Sequence, residues 1–157
     1  MKIQYIYNSS VLYTKEDKMN KAIIVLLDKA HLMAYRYTKT ELDGEKYDLI
    51  KSVENKEAMA RFSEKISDQA GRFHVGGGED HNMKLEEDKR LVKQIVMGVN
   101  ELVKDCSYEP WYLASDKSIH HSVLTHLKPE VKECLKKDIA ANLIKIQKHQ
   151  ILDRFRL

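Results

Sequence analysis

Residues 22–27, Ala-Ile-Ile-Val-Leu-Leu, form the longest apolar run in the chain. A run with no polar face, bounded by charged residues and rich in β-branched side chains, predicts a strand covered on both faces. It is far too short to cross a bilayer. Such a strand demands a layer above and below its sheet, and the rest of the sequence must supply both. With 157 residues, 43% hydrophobic and 32% charged, the chain is long enough to bury a real core as one domain.

The segments on either side supply the sheet. Residues 28–30 read as a turn. Residues 32–37 alternate as a second strand, with Met33, Tyr35 and Tyr37 on one face and Ala34 and Arg36 on the other. Asp43-Gly44 is a turn dipeptide, and residues 46–53 make a third strand. The N-terminal half is therefore expected to be an antiparallel meander.

The helices come later. A short helix is expected around residues 55–66. Leu85, Val92, Ile95, Val96, Val99, Leu102 and Val103 fall at three- and four-residue steps and predict a long helix over 85–103, with Asn82 as a candidate cap. Residues 110–114 read as a strand, 118–126 as a helix, and 130–137 as a short helix with Pro129 at its first turn. Residues 139–146 read as a last strand and 148–155 as a closing helix. Strands alternating with helices after a meander give an α/β sandwich whose mixed, partly antiparallel sheet is packed with helices. Residues 1–18 show no clear period and read as an N-terminal extension to a single domain over 19–157. They hold no sustained apolar core and no cleavage site, so a cytoplasmic location is expected.

Three glycines in a row, Gly76-Gly77-Gly78, stand out in a chain with only 6. Glycine loses the most backbone entropy on ordering, so a cluster marks a loop or a close approach to a ligand. This one lies between the meander and the long helix, a position where functional loops occur. Arg72, Glu79 and His81 flank it. The segment is not a P-loop: no Lys-Ser/Thr pair follows, and Glu79 and Asp80 would repel phosphate. Among the histidines, His74 and His81 flank the glycines while His120, His121 and His126 cluster further on. None has metal-ligand spacing, and surface or capping roles are expected, with no metal and no cofactor. Ser115-Asp116-Lys117-Ser118 sits at the carboxyl end of a strand, where α/β proteins place ligands. It lacks a nucleophile elbow and reads as a helix cap supplied by Asp116 or Ser115.

Net charge is +3, below the basic footprint of a dedicated nucleic-acid domain. Lys128, Lys132, Lys136, Lys137, Lys145 and Lys148 are interrupted by Glu130, Glu133 and Asp138 and read as a solvated face. Cys106 and Cys134 are expected as reduced, buried thiols.

Several blocks, in order, resemble the bacterial host attachment family, whose members are described as proteins required for attachment to host cells. They are Met19-Asn20-Lys21 with residues 22–28, then Ala30 and Tyr35. Asp68-Gln69-Ala70-Gly71-Arg72-Phe73 and Gly76-Gly77-Gly78 to His81 follow. Trp111-Tyr112-Leu113-Ala114-Ser115-Asp116-Lys117-Ser118-Ile119-His120, residues 135–146, Leu152 and Phe155 complete the set. That family is in turn similar to the middle domain of archaeal and eukaryotic peptide-chain release factors. There a Gly-Gly-Gln loop between a meander and a long helix reaches the ester of peptidyl-tRNA. The resemblance implies a release-factor-like fold, contact with ribosome or tRNA, and a working loop of Arg72, Gly76, Gly77, Gly78, Glu79 and His81. The chain departs from the pattern because no glutamine follows the glycines, which argues against termination-type hydrolysis. The competing expectation is a non-catalytic module that binds a protein partner and affects attachment. A hydrolase with Glu79 or Asp80 as general base lacks a positioned partner and ranks last.

Overall fold

The computed structural model describes residues 6–7, 10–11, 21–56 and 79–157. Two short strands, β1 (Ile6–Tyr7) and β2 (Ser10–Val11), pair antiparallel within the segment read as an extension. The main sheet has five strands in the order β5-β4-β3-β6-β7. They are β3 (Lys21–Leu27), β4 (His31–Thr40), β5 (Gly44–Glu54), β6 (Trp111–Ser115) and β7 (Leu135–Ala140). The β3/β4 and β4/β5 pairs are antiparallel, while β3/β6 and β6/β7 are parallel. The sheet is mixed, as expected.

Central β3 answers to its sequence. Ala22 to Leu27 are at most 2% exposed. Ile23, Val25 and Leu27 join a cluster with Val92, Val96, Val99, Leu102 and Val103, while Ala22, Ile24 and Leu26 join a second with Ile151, Leu152 and Phe155. Each set stands on its own face of the strand, so helices cover both sides. On β4 the expected division holds: Leu32 and Ala34 face the first cluster, and Met33, Tyr35 and Tyr37 the second. The turn into β5 ends at Gly44, whose φ of 70° is a conformation glycine adopts without a Cβ penalty. A bulge opposite Ala34 and Tyr35 leaves Ile50 outside the ladder, because Ala34 pairs with Lys51 and Tyr35 with Leu49.

Helix α1 (Glu79–Asp105) starts earlier than its apolar stripe. The stripe proper runs from Val92 to Val103, and Leu85, expected on the same face, is 47% exposed. Asn82 lies within the helix and does not cap it. The acidic Glu79 and Asp80 lie in the first turn, where they suit the helix dipole. Within α1 the core positions Val92, Val96, Val99, Leu102 and Val103 recur at three- and four-residue steps, as the sequence requires of a face that packs on β3 and β6. Trp111 at the start of β6 is fully buried and donates from Nε1 to Val131 O at 2.8 Å.

The last third corrects the sequence reading. Helix α2 (Lys117–His126) is as expected, but α3 (Pro129–Cys134) ends three residues early and β7 follows at once. The strand expected at 139–146 is thus displaced to Leu135–Ala140. Lysines are good helix formers, so 135–137 read as helix. Parallel pairing with β6 overrides that preference, because Leu135, Lys137 and Ile139 alternate half-buried with exposed neighbours. Residues 141–146 are irregular, with Leu143 buried in the second cluster. Helix α4 (Lys148–Phe155) closes the chain, with Arg156 in the left-handed conformation and Leu157 N bonding back to Leu152 O. Of the helix expected over 55–66, only residues 55 and 56 lie within the described residues, and of these 56 is helical.

Candidate functional site

Strands β3 and β6 run side by side in the same direction, but the chain leaves β3 toward β4 on one side and β6 toward β7 on the other. Outside the carboxyl ends of such a pair α/β proteins form their crevices. Three polar segments meet there: 28–31 after β3, 115–118 after β6 and 138–142 from β7.

Asp28 organises the first. Its Oδ1 accepts from Ala30 N at 2.8 Å and His31 N at 2.6 Å, and its carboxylate also takes His31 Nδ1 at 3.0 Å. From the far end of the chain, Asn142 Nδ2 donates to Oδ2 at 3.3 Å. Asp116 organises the second as the N-cap of α2. Its Oδ1 accepts from Ser118 N at 2.9 Å and Ser118 Oγ at 2.6 Å. Those two bonds, and nearby Lys29, hold the Asp116 carboxyl below the usual carboxylate range. Asp116 is thus a cap, as expected.

A third connection has no sequence signature. Ser115 Oγ lies 2.5 Å from His120 Nδ1, and His120 Nε2 lies 2.8 Å from Asp138 Oδ2. The neutral ring that satisfies both bonds carries its proton on Nε2, donates to Asp138 and accepts the Ser115 hydroxyl. Serine, histidine and aspartate in a row suggest a hydrolase, but the arrangement does not fit one. The ring nitrogens are exchanged relative to the hydrolase order, in which serine meets Nε2 and the acid meets Nδ1. Ser115 is also 0% exposed, so its hydroxyl meets no substrate. The chain fastens α2 to β6 and β7. Signals for it were sparse, since His120 and Asp138 lie 18 residues apart.

The glycine segment presents the opposite situation. Arg72, Gly76, Gly77 and Gly78 lie outside the described residues, as does His74. Glu79 and His81 lie in the first turn of α1, where the backbone alone is described. Connectivity still fixes one fact: the glycines lead directly into the N-terminal end of α1. From 82 to 90 that helix is exposed at every position except half-buried Glu87, and its first buried side chain is Val92. Residues 82–90 therefore extend about 13 Å before α1 enters the core. An exposed ion pair, Lys29 Nζ to Asp88 Oδ1 at 3.6 Å, ties this stretch to the turn after β3.

Cys106 is buried and Cys134 half-buried, and both are free. Burial pushes the Cys106 thiol up, with the Arg36 guanidinium opposing. Among the described residues no group of three or more His, Cys, Asp or Glu side chains is placed to hold a metal, and no helix is long and apolar enough to cross a membrane.

Fold and site together define a three-layer α/β domain with a fastened carboxyl edge and an exposed helix end that follows three glycines. Within that class, the chain belongs to the family described as "Protein required for attachment to host cells", whose model matches residues 23–155. No curated protein matches the sequence. Among solved structures, the Aquifex aeolicus Ppx/GppA phosphatase, type II variant, aligns with a TM-score of 0.40 and 12% identity. The alignment covers 76% of this chain and 35% of that one. At that level of likeness nothing about activity transfers.

Proposed function

We propose that this host attachment family protein is a release-factor-like domain that contacts the ribosome or tRNA through its glycine segment, the long helix serving as the arm that carries it. One observation supports the reading above the rest: α1 follows Gly78 directly and, over residues 82–90, runs exposed at every position except half-buried Glu87 before packing. A helix gains most of its stability from tertiary packing, so an exposed stretch of this length is explained by what it presents. Gly76, Gly77 and Gly78 allow close backbone approach to RNA, and Arg72 and His81 supply polar contacts. Glu79 and Asp80 are accounted for by the helix dipole. Without a glutamine after the glycines, the reading is contact and not peptidyl-tRNA hydrolysis. The working unit is residues 19–157, acting in the cytoplasm, and its influence on attachment is indirect.

Co-sedimentation with ribosomes across a salt series tests this. Wild-type protein is expected in the ribosome pellet at low salt and to leave it as salt rises, as backbone contacts do. Gly77→Trp is expected to stay folded and lose binding. Absence of binding at low salt, or full binding by Gly77→Trp, overturns the reading.

A second reading, a module for a protein partner, draws on edge strand β5. It exposes Leu49, Ile50 and Val53 at 54%, 39% and 47%, and open edges with apolar side chains are pairing surfaces. It predicts a protein partner and indifference to Gly77→Trp.

A further inference from the structure

Away from the glycine segment, a cleft of about 440 Å³ opens between α1 and the β4–β5 hairpin, within the range of small-molecule sites. It exists because α1 packs over the centre of the sheet. Leu32 and Ala34 of β4 are buried beneath it, while their β5 partners Val53 and Lys51 lie further out on the same face. Leu91, Ile95 and Gly98 make the helix wall, and Leu32 and Val53 part of the sheet wall.

Two features set this cleft apart from an ordinary packing gap. One is its charge. Lys51 and Lys56 line it and form no ion pair among the described residues, whereas the lining acid Asp28 is saturated by four donors. Glu54 is the opposing charge, and the remaining lining lysine, Lys29, is paired with Asp88. His31 also lines the cleft, with Nδ1 held by Asp28 and no partner for Nε2 among the described residues. The other feature is Gly98. Glycine is disfavoured in a helix interior, and packing does not demand it here. A Cβ would stand 3.4 Å from Leu32 Cδ1, an ordinary contact. What its missing side chain provides is room in the cleft.

We infer that the cleft binds a small anionic molecule with an apolar body, its body against Leu91 and Ile95 and its anionic group between Lys51 and Lys56. His31 Nε2, fixed in direction by Asp28, supplies a further polar contact. This cleft is independent of the ribosome reading, since it involves neither the glycine segment nor the helix end.

Naphthalene-1-sulfonate, an apolar ring bearing one anionic group, is the probe, titrated into the full ¹⁵N-labelled chain and followed by NMR. Saturable shifts are expected at the amides of residues 29–32, 51–56 and 94–98. The uncharged 1-naphthalenemethanol is expected to bind more weakly. Lys51→Glu/Lys56→Glu is expected to weaken sulfonate binding about tenfold or more, because both attractive charges become repulsive. Gly98→Ala, which fits the helix and narrows the cleft, provides a second variant if the double reversal fails to fold. It too is expected to bind more weakly. No saturable shift at millimolar probe, shifts centred elsewhere, equal affinity for the two rings, or full-strength binding by the folded variants overturns the assignment.

Discussion

The carboxyl edge of the sheet and the first three turns of α1 are both rich in polar residues, yet they stand in opposite relations to the fold. At the edge, Asp28, Asp116, His120 and Asn142 spend their hydrogen-bonding capacity on neighbouring side chains and backbone. Along residues 82–90 the charges other than half-buried Glu87 face solvent, and the contacts include a local pair, Glu86 to Lys89 at 2.9 Å. Saturated groups position structure. Groups that folding does not account for are where an outside partner is to be sought. The region that looks most like a catalytic site is thus the scaffold, and the region that looks like surface is the better candidate for work.

The largest expected effect breaks the edge. Asp28→Ala removes an acceptor shared by two backbone N–H groups, a histidine and Asn142. Hydrogen bonds to charged groups contribute about 1.5–3 kcal/mol each and are not additive, so a loss of roughly 2–4 kcal/mol is expected. Asp28→Asn keeps one acceptor oxygen and is expected to cost about half as much or less. Urea unfolding measures both. A neutral Asp28→Ala would mean that this turn is not fastened and would dissolve the contrast with α1.

Asp116 gives a smaller effect with a sign in pH. Its folded carboxyl lies below the ordinary value because Ser118 donates to it twice. A group with a depressed folded pKa contributes stability above its unfolded pKa and loses it as pH falls through the folded one. The cap is therefore expected to hold at neutral pH and weaken below about pH 4. Asp116→Ala is expected to cost about 1 kcal/mol at pH 7, with the difference from wild type shrinking in acid. Unfolding midpoints at pH 7 and pH 3 measure it. A difference that grows in acid would overturn the capping account.

These two regions were unequally legible in the sequence. Residues 22–27, the alternation along β4, Asp43-Gly44, Pro129 and the apolar stripe of α1 are local patterns, and local patterns are what periodicity reads. Asp116 as a cap was legible because its partner lies two residues away. Asn142 with Asp28 was not, because 114 residues separate them and neither is unusual in its own neighbourhood. The strand β7 was misplaced for a related reason. Its lysines favour helix locally, and the pairing that decides otherwise comes from β6. The cleft beside α1 was equally hidden, although Gly98 inside an otherwise regular helical stripe was a visible irregularity. The glycine segment is the reverse case: the sequence singled out Gly76, Gly77 and Gly78, which lie outside the described residues, and the structure adds that α1 begins at the next residue.

The smallest expected effect on stability sharpens the comparison most. Met83 and Leu85 are 62% and 47% exposed on the first turns of α1. Replacing both with alanine removes little buried area and keeps helix propensity high, so stability should change by no more than about 0.5 kcal/mol. Because both side chains stand largely in solvent, a loss of binding without a loss of stability points to a contact outside the fold. Intact stability with lost co-sedimentation would assign this face of α1 to the ribosome contact, alongside the glycines. A loss of several kcal/mol would show instead that the helix end is packed in solution, and its exposed length would no longer support a presented arm.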